Sequence, residues 1–237
     1  MTVTQAAQHL GVNAARVRAL VSSGALAGRR IGSQWVVDRG AIERRGQIVG
    51  AGGRSRSMSA RVAWAAADLL DGGNAAWLAT SERARLRSRL AAHGAAGWQT
   101  YSRWLASRQT SADRYRVGDG DIAAVLAADG VVATGASAAS AYGLGLSAAG
   151  QAEAYADSAT AAGLVDEFFL IRSTSGNLLL RTVDGDWHRR TAAAEQGRAT
   201  AARLMVAVDL LDADDTRSRS AGRGLLAGLL AGGARAV

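Results

Sequence analysis

The chain has 237 residues and a formal net charge of +8; all 28 of its basic residues are arginine, and it has no cysteine and no proline. Lack of cysteine excludes disulfides, thiolate zinc sites and cysteine nucleophiles, and His9, His93 and His188 lie too far apart for the HxxxH or HExxH spacing of a histidine-built metal centre. At 49% hydrophobic and 20% charged the composition is that of a globular protein; no apolar run reaches the roughly 18 residues of a membrane span, and MTVTQAAQHL lacks the charged-then-apolar order of a signal peptide, so a cytoplasmic protein without a membrane partner is expected.

The charge is uneven. Residues 1–57 carry nine arginines against Asp38 and Glu43, while 58–237 is close to balance. A basic N-terminal stretch of this kind is the electrostatic footprint of a small nucleic-acid-binding module. Residues 83–116 hold eight further arginines with Asp113 as their one acid, and 117–237 is net acidic. These segments are either two binding surfaces or two solvated faces.

Residues 2–22 read as two short helices. Thr2 or Thr4 caps the first, with Gln5 following, and Ala6, Ala7 and Leu10 line one face. Gly11 ends it, Asn13 caps the second, and Val17, Leu20 and Val21 face inward before Gly24. Short strands over Arg29–Ile31 and Trp35–Val37 around Gly32-Ser33 predict a hairpin, followed by a third helix opening near Asp38. The stretch GQIVGAGGRSRS, 46–57, reads as a linker. Helices are expected over 59–70, over 80–92 behind a Thr80 or Ser81 cap, over 97–108 and over 121–128. Trp98, Tyr101, Trp104 and Leu105 recur at helical spacing and read as core, the alternative being a stacking surface for bases. From Val131-Val132 the chain leads into a small-residue helix, TGASAASAYGLGL, then a strand at 153–157 and a helix over 158–170. A strand over 177–187 with a turn at Asp184-Gly185, an apolar helix over 198–211, a capped break and a helix over 220–231 complete it. Strands mixed with helices without strict alternation predict an α+β fold. The expected organisation is a DNA-binding domain at 1–45, the linker at 46–57, and an α+β effector domain at 58–237.

The order helix, Gly-Val-Asn turn, helix, Gly, basic two-stranded hairpin, short helix over residues 3–45 resembles the excisionase-type (MerR-like) winged helix-turn-helix. The resemblance implies that helix 13–22 enters the major groove while the hairpin touches phosphates or the minor groove. The candidate DNA-contacting residues are Asn13, Arg16 and Arg18 on that helix and Arg29, Arg30, Ser33 and Gln34 in the hairpin. Arg16 and Arg18 suit guanine edges or phosphate, while Ala14 and Ala15 reach thymine methyls at most. Trp35 is expected to pack the hairpin onto the module's core. More loosely, VVATGASAASAYGL (131–144), AEAYAD, NLLLRTVDGDW and VAVDLLDADDTRSRSAGRGLL (206–226) resemble the C-terminal part of type IV abortive-infection (AbiE-type) antitoxins. That resemblance implies a protein that represses its own operon and counters a nucleotidyltransferase-like toxin. The partners expected are double-stranded operator DNA, a cognate toxin and a second copy in a homodimer.

Enzymatic chemistry finds little footing. Asp209 and Asp212 lie three apart, as a magnesium pair would, but capping and local ion pairs to Arg217 and Arg219 account better for Asp209, Asp212, Asp214 and Asp215. No metal and no other cofactor is expected. Gly135-Ala136-Ser137 followed by Glu153 and Asp157 has the outline of a nucleotidyltransferase site, yet those acids are four apart where the chemistry wants two. There is no GxSxG and no GxxxxGK[ST]. A non-enzymatic regulator is the expectation. The alternative is a protein-interaction domain, or a degenerate nucleotidyltransferase-like enzyme, with the helix-turn-helix as a docking module.

Overall fold

The computed structural model describes residues 2–10, 14–22, 28–32, 34–37, 57–93, 97–148, 150–195 and 198–233. The chain divides into two compact units, Met1–Ser55 and Arg56–Val237.

In the first unit, α1 (Val3–Leu10) starts at a reciprocal cap. Gln5 N–H donates to Thr2 Oγ1 (3.2 Å) while Thr2 N–H donates to Gln5 Oε1 (3.0 Å), so two otherwise orphaned donors are satisfied. Of the two threonines proposed for the cap, Thr2 is the one that serves. Ala6 and Ala7 of α1 pack with Val17 and Val21 of α2 (Ala14–Ser22) and with Val37. The strands β1 (Gly28–Ile31) and β2 (Gln34–Val37) pair antiparallel, with Arg29 opposite Val36 and Arg30 opposite Trp35. Gly32, at φ +60°, supplies the left-handed turn residue between them. A bridge from Thr2 to Val36 ties the start of α1 to β2. The expected helix near Asp38 and the expected linker up to residue 56 lie outside the described residues.

The second unit is mixed α+β. Among the described residues its strands are β3 (Ser111–Arg116), β4 (Val132–Ala133), β5 (Ala152–Asp157), β6 (Ile171–Arg172), β7 (Leu178–Val183), β8 (Ala193–Glu195) and β9 (Arg198–Thr200), in the order β6-β3-β7-β5-β4-β9-β8. The β5–β7 and β4–β9 pairs are parallel and the others antiparallel. Its helices are α3 (Ala60–Leu70), α4 (Thr80–Ala92), α5 (Trp98–Trp104), α6 (Ile122–Ala127), α7 (Ser158–Glu167), α8 (Trp187–Arg190), α9 (Arg203–Leu211) and α10 (Thr216–Gly233).

The period of two along β5 sorts its side chains between two cores. Ala152, Ala154 and Ala156 join Val125 and Leu126 of α6 and Leu164 of α7. Tyr155 points the other way, among Trp64, Trp104 and Met205, with its ring edge-on to Trp64 (centroids 5.0 Å apart, 78°). Every residue of α9 from Leu204 to Leu211 is buried, Asp209 included. A helix apolar on all sides belongs in the middle of a unit rather than on its surface.

Several expected elements shift. Tyr101, Trp104 and Leu105 are buried, so that stripe is core rather than a base-stacking surface, and α5 ends at Trp104 instead of 108. α4 begins at Thr80 with Ala79 as its cap residue, so neither Thr80 nor Ser81 holds the cap position, and Glu82 Oε2 reaches back to accept the Ala79 N–H (3.0 Å). The expected helix after Val132 is instead β4 and two 3-10 turns, Gly135–Ala138 and Ser140–Tyr142. Left-handed Gly135 and Gly143 bracket that segment, which restricts it to short turns. Residues 198–200 form a strand because Thr200 pairs with Ala133 and Ala193, which moves the start of the helix to Arg203. α7 stops at Glu167, and Phe169 beyond it takes φ +51°. The polar strand β3, and β8, carry no clear strand pattern and are set by their neighbours in the sheet.

Candidate nucleic-acid interface

α2 presents Ala15, Arg18 and Ala19 outward at spacings of three and one, opposite its buried Val17 and Val21. Ala14, expected on that surface, is half-buried. Arg16 lies in α2, Arg29 in β1 opposite Val36, and Gln34 in β2 opposite Ile31. Arg30 is exposed on β1, across from Trp35, which is half-buried against the core as expected. Asn13 and Ser33 lie outside the described residues. Over residues 1–57 nine arginines stand against Asp38 and Glu43, an excess of seven positive charges. Two short helices and a basic hairpin around a small core can offer guanidinium groups to an anionic duplex.

A different cluster is buried in the second unit, and its centre is Asp209, at 0% exposure. Its Oδ1 accepts from Arg108 Nε (2.8 Å) and from Tyr155 OH (3.0 Å), its Oδ2 accepts from Thr134 Oγ1, and Arg181 Nε stands 3.5 Å away. Arg108 also reaches Asp212 through Nη2 (2.5 Å), while Arg181 bonds Gln109 Oε1 through Nη1 (2.9 Å) and meets Glu153 Oε2 (3.4 Å). Burial pushes the Asp209 carboxyl up, but the Arg181 and Arg108 guanidiniums and the Thr134 and Tyr155 hydrogen bonds outweigh it and hold it below the usual carboxylate range. Burial, reinforced by Asp209, drives the Tyr155 phenol far above its usual value. Burial also raises the Glu153 carboxyl, against the opposing pull of Arg181. A buried charge is tolerable when its lone pairs are filled, and those of Asp209 are.

This corrects the reading of the aspartate run. Asp209 is neither a cap nor a partner of Arg217 or Arg219, and Asp212 pairs with Arg108. Arg108 occupies the space between the two carboxylates where a shared cation would sit. Asp215 does cap α10, accepting Ser218 N–H (2.7 Å), and Arg219 bonds the backbone oxygens of Ala213 and Asp214. Arg108, Thr134, Tyr155 and Arg181 were not singled out from sequence. The available signal was Asp209 itself: a carboxylate inside the aliphatic run VAVDLL must find partners once that run is buried.

The other carboxylate pair does not converge. Ser137 Oγ accepts Glu153 N–H (2.9 Å), and Gly135 lies against the Glu153 carboxylate, where a Cβ would collide with it. Asp157, by contrast, caps α7 through Thr160 N–H (2.8 Å) and faces Arg189 (3.6 Å).

Residues 1–45 match a family described as a helix-turn-helix domain. No curated protein and no solved structure matches the chain. Among the described residues no helix is long and apolar enough to cross a membrane.

Proposed function

We propose that this chain is a DNA-binding transcriptional regulator, acting in the cytoplasm as the autoregulatory antitoxin of a toxin–antitoxin pair. The observation that carries the DNA-binding part is the helix-turn-helix match over residues 1–45, in a stretch, 1–57, that carries nine arginines against Asp38 and Glu43. In this reading β1 and β2 are the wing, whose Arg29 and Arg30 meet phosphates, and α2 lies in the major groove with Arg16 and Arg18 toward base edges. Operator DNA, a cognate toxin and a second copy of the chain are the partners.

The antitoxin part rests on the AbiE-type resemblance of four segments in the second unit. Each segment contributes one residue to the buried cluster: Thr134, Tyr155, Arg181 and Asp209. That convergence supports reading the four segments as one structural centre. The rival nucleotidyltransferase-like reading draws less support, since Glu153 is engaged by Arg181 and Asp157 by a helix cap.

A gel-shift titration on the chain's own upstream DNA, with and without the product of the neighbouring gene, tests the assignment. A preferred site over scrambled duplex, and relief of growth arrest when the chain is co-expressed with that product, are expected. Equal affinity for scrambled DNA would remove the regulator; unrelieved arrest would remove the antitoxin.

A further inference from the structure

The second unit carries its own concentration of positive charge. Residues 58–116 hold nine arginines against four carboxylates, and four of those arginines lie on α4: Arg83, Arg85, Arg87 and Arg89. At 100° per residue, the buried Leu86 and Leu90 define the inner stripe of this helix. Arg83 and Arg87 then fall along one flank of the stripe, and Arg85 and Arg89 along the other. The outermost ridge is Ser81, Ala84, Ser88, Ala91 and Ala92, all exposed and all small.

The inner arginine of each pair is positioned by the fold. Arg83 donates to the backbone oxygens of Asn74 (3.0 Å) and Leu78 (3.4 Å), and the Arg89 guanidinium lies 4.3 Å over the Trp104 ring. Arg85 and Arg87 are exposed. The nearby carboxylates have hydrogen-bond or ion-pair partners of their own, although Glu82 also lies within the electrostatic reach of Arg85. Glu82 is held by Arg61 and by Ala79 N–H, Asp68 accepts Ala75 N–H (2.6 Å), and Asp71 pairs with Arg203 (3.0 Å).

We infer that α4 is a second, sequence-independent DNA contact, in which the low Ser/Ala ridge lets the helix approach a duplex and Arg85 and Arg87 reach phosphates on either side. A major groove about 12 Å wide admits a helix, and arginines on both flanks face its two phosphate walls. The ridge offers no long side chain to read a base edge, so the contact adds affinity rather than sequence preference. The inference rests on the DNA-binding reading of the first unit. A module already on DNA raises the local concentration of duplex for the rest of its chain, so a weak second contact becomes effective.

The test is the salt dependence of full-length chain binding to its upstream duplex. Replacing both residues, Arg85→Ala with Arg87→Ala, should flatten the slope of log affinity against log salt by up to about two units. Affinity should then fall about tenfold less between 50 and 200 mM salt than in the parent. Preference over scrambled duplex and the melting temperature should stay put, because both side chains are exposed. Arg85→Lys with Arg87→Lys, which keeps the charge, should restore the parental slope. A parental slope in the alanine variant, or the alanine phenotype in the lysine variant, overturns the inference while leaving the DNA-binding reading intact. A parent chain that binds no duplex overturns both.

Discussion

Arg108 and Asp209 stand 101 residues apart in sequence and meet through two nitrogens of one guanidinium, Nε at 2.8 Å and Nη2 at 2.7 Å from the same carboxylate oxygen. Arg108 follows α5 in the turn before β3, and Asp209 sits in the fully buried α9, so this contact fastens the central helix to the chain that enters the sheet. Tyr155 OH joins the same pair from β5, donating to Asp209 and accepting from Arg108 Nε (3.1 Å).

Asp209→Ala should therefore cost about 3–5 kcal/mol in a urea titration, because it leaves two buried guanidiniums short of their shared counter-charge. Asp209→Asn keeps an acceptor for Thr134 and Arg108 and should lose less. The carboxyl titrates lower in the fold than in the unfolded chain. Its contribution is present above about pH 4 and disappears as the pH falls through the folded value. A loss within about 0.5 kcal/mol for the alanine variant, the range of an ordinary surface change, would contradict this account.

Two glycines of α10 should answer the same substitution with opposite signs. A Cβ on Gly222 would stand 2.7 Å from Ala207 O and 3.0 Å from Leu210 Cβ, where α10 packs closely on α9. A Cβ on Gly224 would meet nothing within 4 Å. Gly224→Ala should add about 0.5–1 kcal/mol through helix propensity. Gly222→Ala should destabilise by about 1–3 kcal/mol, since the backbone it strikes cannot yield cheaply. Thermal melts of the two variants beside the parent decide it.

His188 is buried, its Nε2 bonds Gly130 O at 3.1 Å, and burial pushes its pKa down despite the nearby Asp157 and Asp186. The unfolded chain takes up the proton first as pH drops below about 6.5, so the folded state loses stability from there down to the folded value. His188→Gln keeps a donor for Gly130 and removes the titration. The difference in melting temperature between pH 7 and pH 5 should be smaller in that variant than in the parent, and an unchanged difference would count against the assignment.

The arginines of the first unit should separate by role. Arg29→Ala with Arg30→Ala should weaken binding to all duplexes and flatten the salt slope by about one unit per lost phosphate contact. Arg16→Ala or Arg18→Ala should cost roughly 1–3 kcal/mol on the preferred site and blur its preference, as loss of a base contact does. Unchanged binding in both sets would sink the interface.

What the sequence determined by itself was local. The Thr2–Gln5 spacing, the apolar positions of α1 and α2, and Gly32 between two short β-rich runs specify the first unit's elements through caps, periodicity and turn chemistry that act within a few residues. Arg18 and Arg30 were legible as interface candidates from the local excess of arginine over acid in residues 1–57, and both are exposed. The centre of the second unit was decided by tertiary structure alone. Thr134, Tyr155, Arg181 and Asp209 come from four separated segments, and only a sheet order that places β5 beside both β7 and β4 brings the first three to Asp209 on α9. The same is true of TGASAASAYGLGL, whose small residues would suit a helix in isolation. In the fold Thr134 is bound to Asp209 and Gly135 is pressed against Glu153, so the chain turns where local propensity would have continued. Local propensity differs by less than about 1 kcal/mol per residue, while an unmatched buried carboxylate costs several, and the larger energy chose the structure.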